Sequence, residues 1–281
     1  MKLLLKFILP CLLMYSCQKD DTKDDNGAKS EMNIPYGADP QQQMDIYLPA
    51  GRTTASTKVI ILVHGGAWNQ GDKADFNIYV DTLKKRLPDY AIFNINYRLA
   101  TGSVNFFPTQ ENDVKAAIEF IYNKRGEYRV SDKFVLLGAS AGGHLSLLHA
   151  YKNTSPVKIK AVVDFFGPTE LVDMYNNPAN PIVPVILVQV TGGTPATHAA
   201  LYQQSGPVNF VTAQSPPTII LHGGVDIVVA FSQSVLLANK LQMMGVNYQY
   251  VFYPTENHGW TGANLTDSFN KITAFLALHV N

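Results

Sequence analysis

From residue 44 onward the apolar positions of the chain fall into short strand-like runs separated by amphipathic stretches. MDIYLP (44–49) alternates as a strand with one face in solvent would. KVIILVHGG (58–66) is instead an unbroken β-branched run closed by glycines, the pattern of a strand covered on both faces. YAIFNINYRL (90–99) and KFVLLG (133–138) share that character, and between them TQENDVKAAIEFIYNK sets Val114, Ala117, Ile118 and Ile121 at helical spacing. IKAVVDFFG (159–167), PTIILHGG (217–224) and NYQYVFYP (247–254) continue the strands, with helices predicted at about 231–244 and 265–279. Parallel strands need crossovers, and helices supply them. The alternation therefore predicts a doubly wound α/β fold on a mostly parallel sheet.

The rhythm breaks at 168–216, where Pro178, Pro181, Pro184, Pro195 and Pro207 interrupt any clear period. Excursions of this length inside a compact domain are usually functional. This one leaves the carboxyl end of a predicted strand, where open α/β sheets bind ligands, so it is expected to form a small cap over a site. A packing insertion without substrate contact is the alternative.

At the other end, Lys2 and Lys6 precede an apolar stretch that stops at Ser16, just before Cys17. The stretch is too short to span a bilayer. It resembles a bacterial lipoprotein signal peptide over 1–16, which implies cleavage before Cys17, a lipid on that cysteine, and a membrane partner in the cell envelope, periplasmic or surface-exposed. An ordinary secretory signal with a secreted product is the alternative. Cys11 would leave with the signal, so no disulfide could form in the mature chain. The stretch that follows, QKDDTKDDNGAKSE, has no apolar residue larger than Ala28 and cannot bury enough surface to fold. Residues 17–32 therefore read as a tether and 33–281 as the catalytic domain.

Composition narrows the class further. A chain of 281 residues with 46% hydrophobic content can bury one large core. Lys plus Arg equals Asp plus Glu at 22 each, which removes the basic surplus that a nucleic-acid partner would call for. A small or neutral substrate fits better.

The chemistry begins where strand meets helix. Gly138-Ala139-Ser140-Ala141-Gly142 is a G-x-S-x-G pattern, in which the serine sits on a sharp turn with its hydroxyl exposed at the sheet's edge. A tight strand-to-helix turn alone would also explain the glycines. A serine hydroxyl is a poor nucleophile until a base takes its proton and a third group orients that base. In this architecture both should follow later strands in the order acid, histidine. Asp226 stands just past the run PTIILHGG, and His258 just past NYQYVFYP. His64, His144, His149, His198, His222 and His279 lack that position or that order. A metal site from His222, Asp226 and His258 is conceivable on residue types, but the spacing falls in a turn with no settled ligand geometry. No cofactor is implied. Acyl transfer also places negative charge on the carbonyl oxygen, and HGGAW (64–68) follows a predicted strand where donors for that charge belong. His64 reads as an orienting residue for this loop.

Taken together, HGGAW, NYRL (96–99), GASAGG, HGGVDIVV (222–229) and NHGW (257–260) resemble an α/β-hydrolase of the carboxylesterase group with an H-G-G-type oxyanion motif. That group is related to hormone-sensitive-lipase-like and feruloyl-esterase-like bacterial enzymes. The resemblance covers roughly 33–281 and implies an α/β-hydrolase sheet with a small cap insertion. It implies Ser140 as nucleophile, Asp226 as acid, His258 as base, and the amides of Gly66, Ala67 and Ala141 as oxyanion donors. Ala67 stands where hormone-sensitive-lipase-like members have a third glycine, and their larger N-terminal cap is missing. The implied reaction is cleavage of short-chain esters through an acyl-enzyme, with a small ester or esterified glycan, acetylated or feruloylated, as substrate. Arylformamidase or exopeptidase chemistry on the same fold, or a catalytically silent binding relative, are the alternatives. Trp68 and Trp260 are candidate substrate contacts, with Phe166 and Tyr175 behind them.

Overall fold

The computed structural model describes residues 26–154 and 156–281. Eight strands form one sheet: β1 (Lys29–Pro35), β2 (Gln43–Leu48), β3 (Lys58–Val63), β4 (Tyr90–Ile95), β5 (Phe134–Ala139), β6 (Ala161–Phe165), β7 (Thr218–Gly223) and β8 (Tyr248–Tyr253). Their order is β1-β2-β4-β3-β5-β6-β7-β8, with β1 and β2 antiparallel to their neighbours and the remaining pairs parallel. The helices are α1 (Asn77–Arg86), α2 (Thr109–Asn123), α3 (Arg125–Tyr128), α4 (Ala141–Lys152), α5 (Leu171–Asn176), α6 (Val183–Thr191), α7 (Ala199–Ser205), α8 (Ser232–Met243) and α9 (Gly262–His279).

Alternation within each strand builds two cores from one sheet. Val59, Ile61 and Val63 of β3 pack with Val114 and Ile118 of α2, Leu145 and Leu148 of α4, and Leu237 and Leu241 of α8. Ile60 and Leu62 point the other way, to Val80 and Leu83 of α1 and to Phe269, Ile272 and Leu276 of α9. With helices on both faces the central strands have no polar side, which is why they read as continuous apolar runs. After β3 the chain lays β4 on one side and then β5 on the other. The crevice at such a reversal, beyond the carboxyl ends of the strands, is where this class of sheet binds ligands.

Three expectations need correction. The strand at 44–49 is not half-exposed: β2 is buried from Met44 to Leu48. Its alternation is real, but the polar side is covered too, because Asp45 pairs with Lys73 at 3.1 Å and Lys84 lies over the Tyr47 ring. Secondly, the fold begins before residue 33, since β1 takes Lys29–Pro35 and Gly51 N–H donates to the Asn26 carbonyl. This edge strand is mostly exposed and is held by backbone pairing to β2, so the scarcity of apolar residues at 29–32 did not prevent it. Cys17, the signal segment 1–16 and the tether up to residue 25 lie outside the described residues. Thirdly, 168–216 is not irregular but carries α5, α6 and α7. Pro184 sits in the first turn of α6 and Pro207 opens a 3-10 turn, positions where a missing N–H costs nothing.

Candidate active site

Ser140 lies between β5 and α4 with φ +53° and ψ −122°, a conformation rare for a residue with a side chain. Its surroundings enforce the turn. A Cβ on Gly142 would stand 1.9 Å from the Val63 carbonyl oxygen, so glycine there lets the turn press against the end of β3. Ser140 N–H donates to the Phe165 carbonyl at 2.8 Å, and its own carbonyl accepts from His144 N–H at 3.0 Å. Strain held this way by neighbouring structure is a mark of functional turns.

The candidate acid and base, Asp226 and His258, lie on the loops after β7 and β8. His258 Nδ1 lies 2.7 Å from Asp226 Oδ2, and Asp226 Oδ1 accepts the amides of Val228 and Val229 at 2.8 and 2.9 Å. Burial disfavours ionised Asp226, but hydrogen bonds from His222 and His258, the charge of His258 and the Val228 amide outweigh it and hold the carboxyl well below the ordinary range. A carboxylate that stays ionised keeps the Nδ1–H tautomer of His258 and leaves Nε2 free to act as base. Phe166, itself at φ +45°, packs on the His258 ring with centroids 4.4 Å apart. Asn257, whose role the sequence did not reveal, ties the two loops: its Oδ1 accepts from His258 N–H at 2.8 Å and from Ile227 N–H at 3.1 Å. Ser140 and His258 line one cavity of about 540 Å³.

Gly66 and Ala67 line the same cavity. Gly66, Ala67 and Trp68 all have positive φ (+104°, +51° and +60°), a run that residues with side chains rarely adopt. Among the described residues no protein acceptor engages the Gly66 or Ala67 amide. Ala141 opens α4, where the first N–H groups have no partner within the helix. The loop is braced from three sides. Tyr97 hydroxyl donates to the His64 carbonyl at 3.1 Å and stacks on the His64 ring at 4.2 Å. Trp68 carbonyl accepts from Ala100 N–H at 3.0 Å. Trp68 Nε1 donates to His144 Nδ1 at 3.1 Å, and His144 Nε2 in turn donates to the Ser205 carbonyl at 2.7 Å. The motif NYRL thus splits its work: Tyr97 braces the loop, while Arg98 forms a bidentate pair with the buried Asp113.

Neither tryptophan faces the large cavity. Trp68 is 2% exposed, yet its side chain lines a small pocket of about 30 Å³ beside Ser140 together with Ala67, Met174, Val183 and Leu187. Trp260 is buried with its Nε1 donating to Ser268 Oγ at 2.9 Å, and it lines a separate apolar cavity of about 80 Å³. Their indole N–H groups need partners when buried, and they find them in the protein rather than at the site. The rings that do line the large cavity are Phe76, Tyr79 and Phe166. Tyr175 packs on Tyr202 instead. The three groups considered for a metal are engaged with one another, since both imidazoles present a nitrogen to the same Asp226 oxygen.

Serine after β5, acid after β7, histidine after β8 and a donor loop after β3, on a sheet of this order, define an α/β-hydrolase of the carboxylesterase type. The chain belongs to the BD-FAE family, which matches residues 44–241, a span that contains Ser140 and Asp226 and stops short of His258. Esterase LipC of Mycobacterium tuberculosis is 26% identical over 259 residues, 86% of this chain and 64% of that protein. A probable isoprenylcysteine alpha-carbonyl methylesterase of Arabidopsis thaliana, ICMEL1, is 25% identical over 80% of this chain and 50% of its own length. The chain thus spans about half to two thirds of these relatives. A truncated form of a carbohydrate esterase from gut microbiota superposes with a TM-score of 0.76 at 27% identity, covering 91% of this chain and 97% of that one. Esterase B from Lactobacillus rhamnosis, at 23% identity and TM-score 0.73, shares the fold.

Proposed function

We propose that the protein is a serine esterase that removes short acyl groups, acetyl foremost, from carbohydrate through an acyl-enzyme. The observation that carries this reading is the His258–Asp226 pair on the cavity that also holds Ser140 and the unengaged amides of Gly66 and Ala67. His258 Nε2 takes the Ser140 proton as Oγ bonds to the ester carbon, and the amides stabilise the oxyanion that forms. His258 then hands that proton to the departing alcohol oxygen as the carbon–oxygen bond breaks, which leaves the acyl group on Ser140. Water, deprotonated by His258, repeats the attack and frees the acid and the serine.

The small pocket beside Ser140 supports a short acyl group. At about 30 Å³ it is far smaller than the 540 Å³ cavity with which it shares Ala67, Ser140, Val183 and Ile186, so the room beside the serine is narrow. The likeness to a carbohydrate esterase at 27% identity supports a glycan as the alcohol part. A lipid on Cys17 would hold the enzyme in the bacterial envelope, where polymeric glycan is met.

Mass spectrometry of enzyme quenched in acid during turnover of p-nitrophenyl acetate is expected to find an acetyl group on Ser140. Release of acetate from acetylated xylan should be lost in Ser140→Ala, with unchanged thermal unfolding. Turnover by Ser140→Ala at half the wild-type rate would overturn the mechanism.

A further inference from the structure

Asp226 meets two imidazoles, and the proton relay uses only one. His222 is fully buried at the end of β7. Its Nε2 stands 3.3 Å from Asp226 Oδ2 and 2.9 Å from the Val229 carbonyl, while its Nδ1 stands 2.7 Å from Ser234 Oγ on α8. Two acceptors face Nε2, so that nitrogen carries the proton, and Nδ1 accepts from the Ser234 hydroxyl. Both ring nitrogens are then satisfied with the ring neutral.

The same Oδ2 receives His258 Nδ1–H at 2.7 Å, and the His222 N–H, whose nearer partner is the Val229 carbonyl, reaches it as the longer arm of a shared contact at 3.3 Å. The other groups facing His222 are few. Asp164 of β6 is aligned with Ile220 of β7, which puts Asp164 and His222 on one face of the sheet. Asp164 Oδ1 accepts the Gly167 amide at 3.0 Å, and its buried Oδ2 has no partner. Phe166 covers the His222 ring edge-on at 6.4 Å, which separates it from solvent on that side.

We propose that His222 is a positioning residue of the relay: the N–H of its Ser234-locked tautomer, shared between the Val229 carbonyl and Asp226 Oδ2, holds the carboxylate in line with His258. The inference rests on reading Asp226 and His258 as acid and base of an esterase. A donor on Oδ2 also draws charge from the oxygen facing His258. Without it the carboxylate accepts more strongly, and the His258 imidazole holds a proton to higher pH.

The test compares two substitutions in the full-length enzyme. His222→Asn is too short to reach Asp226, whereas His222→Gln carries an amide N–H to roughly the Nε2 position. With p-nitrophenyl acetate, His222→Asn should move the acidic limb of the kcat/KM profile to higher pH and lower kcat about tenfold, with KM nearly unchanged. His222→Gln should return the limb to its wild-type position. A wild-type limb in His222→Asn, or equal losses in both variants with the limb unmoved, overturns the proposal. If a variant fails to fold, imidazole ¹⁵N NMR of the wild-type protein decides: the proposal requires His222 neutral and protonated on Nε2 throughout the active pH range, and an Nδ1–H or cationic ring overturns it. Asp226→Asn serves as the control for the underlying reading. Full activity there removes the esterase relay itself, whereas loss there beside an unmoved His222→Asn limb removes only the role of His222.

Discussion

Gly66 shows how single residues set this site. At φ +104° it occupies backbone space that side chains avoid, and a Cβ there would stand 2.1 Å from the Gln70 carbonyl oxygen. Gly66→Ala must therefore move the loop that carries the Gly66 and Ala67 amides, the two proposed oxyanion donors. Displacing one such donor costs about a hundredfold or more in kcat, so kcat on an acetate ester should fall by that order while substrate binding changes little. Activity within a factor of two of wild type would show that the loop does not serve the oxyanion. Buried titratable groups make a second residue-scale prediction. Burial holds His144 and His149 down to about 4, and lowers His64 and His279 as well. Between the ordinary histidine range and about 4 the unfolded chain binds protons that the folded rings refuse, so stability falls as pH drops through that window. Burial pushes Asp164 up to about 7, and it acts in the opposite sense, because the folded state keeps a proton that the unfolded carboxyl releases. The histidines outnumber it. Urea midpoints are thus expected to decline from pH 6.5 toward pH 4.5, and a rising profile would show that Asp164 dominates.

Among the elements, α6 is the one that couples the insertion to chemistry. Ile182, just before it, and Val183 and Ile186 within it line the large cavity, while Val183, Ile186 and Leu187 also close the small pocket beside Ser140. From acetate to palmitate esters kcat/KM should not rise, because a methylene without apolar room gains none of the roughly 0.8 kcal/mol, about fourfold, that burial gives; a steady rise would reject a closed acyl pocket. Leu187 is 1% exposed, and Leu187→Ala should open the pocket, shift the preference from acetate toward butyrate, and cost about 2–5 kcal/mol in unfolding free energy. An unchanged acyl profile in a folded Leu187→Ala would place the acyl group elsewhere. The helix α1 shows the limit of reading elements from pattern. NIYVDTLKKR buries only Val80 and Leu83, so its helical period is too faint to see among its polar neighbours.

For the whole molecule, the sheet reversal at β3 brings together loops that are far apart in sequence. Val63 and Gly138 are partners at the ends of β3 and β5, and from that edge the chain delivers the donor loop and the nucleophile side by side. The envelope reading is also a property of the whole chain. Phase separation in detergent should carry the wild-type protein into the detergent phase and Cys17→Ala into the aqueous phase. Equal aqueous partitioning would dismiss the anchor.

The sequence by itself determined the strand and helix alternation, the order serine, acid, histidine, and the glycine-rich donor loop. Each is a local property: a period of apolar positions, or a turn whose backbone angles demand a small residue. Only the tertiary structure decided that Asp45 and Tyr47 are covered, that residues 29–32 join the sheet, that Trp68 lines the small pocket beside Ser140 while Trp260 lines an apolar cavity away from it, and that Asn257 and His222 meet the loops carrying Asp226 and His258. These depend on which distant segments meet. Asp45 is buried because Lys73 arrives over it, and His222 is fixed because Ser234 and the Val229 carbonyl fold back onto its two nitrogens. Side chains carry no sequence-level mark of such partners, since a buried hydrogen-bonded histidine and a solvated one are the same letter.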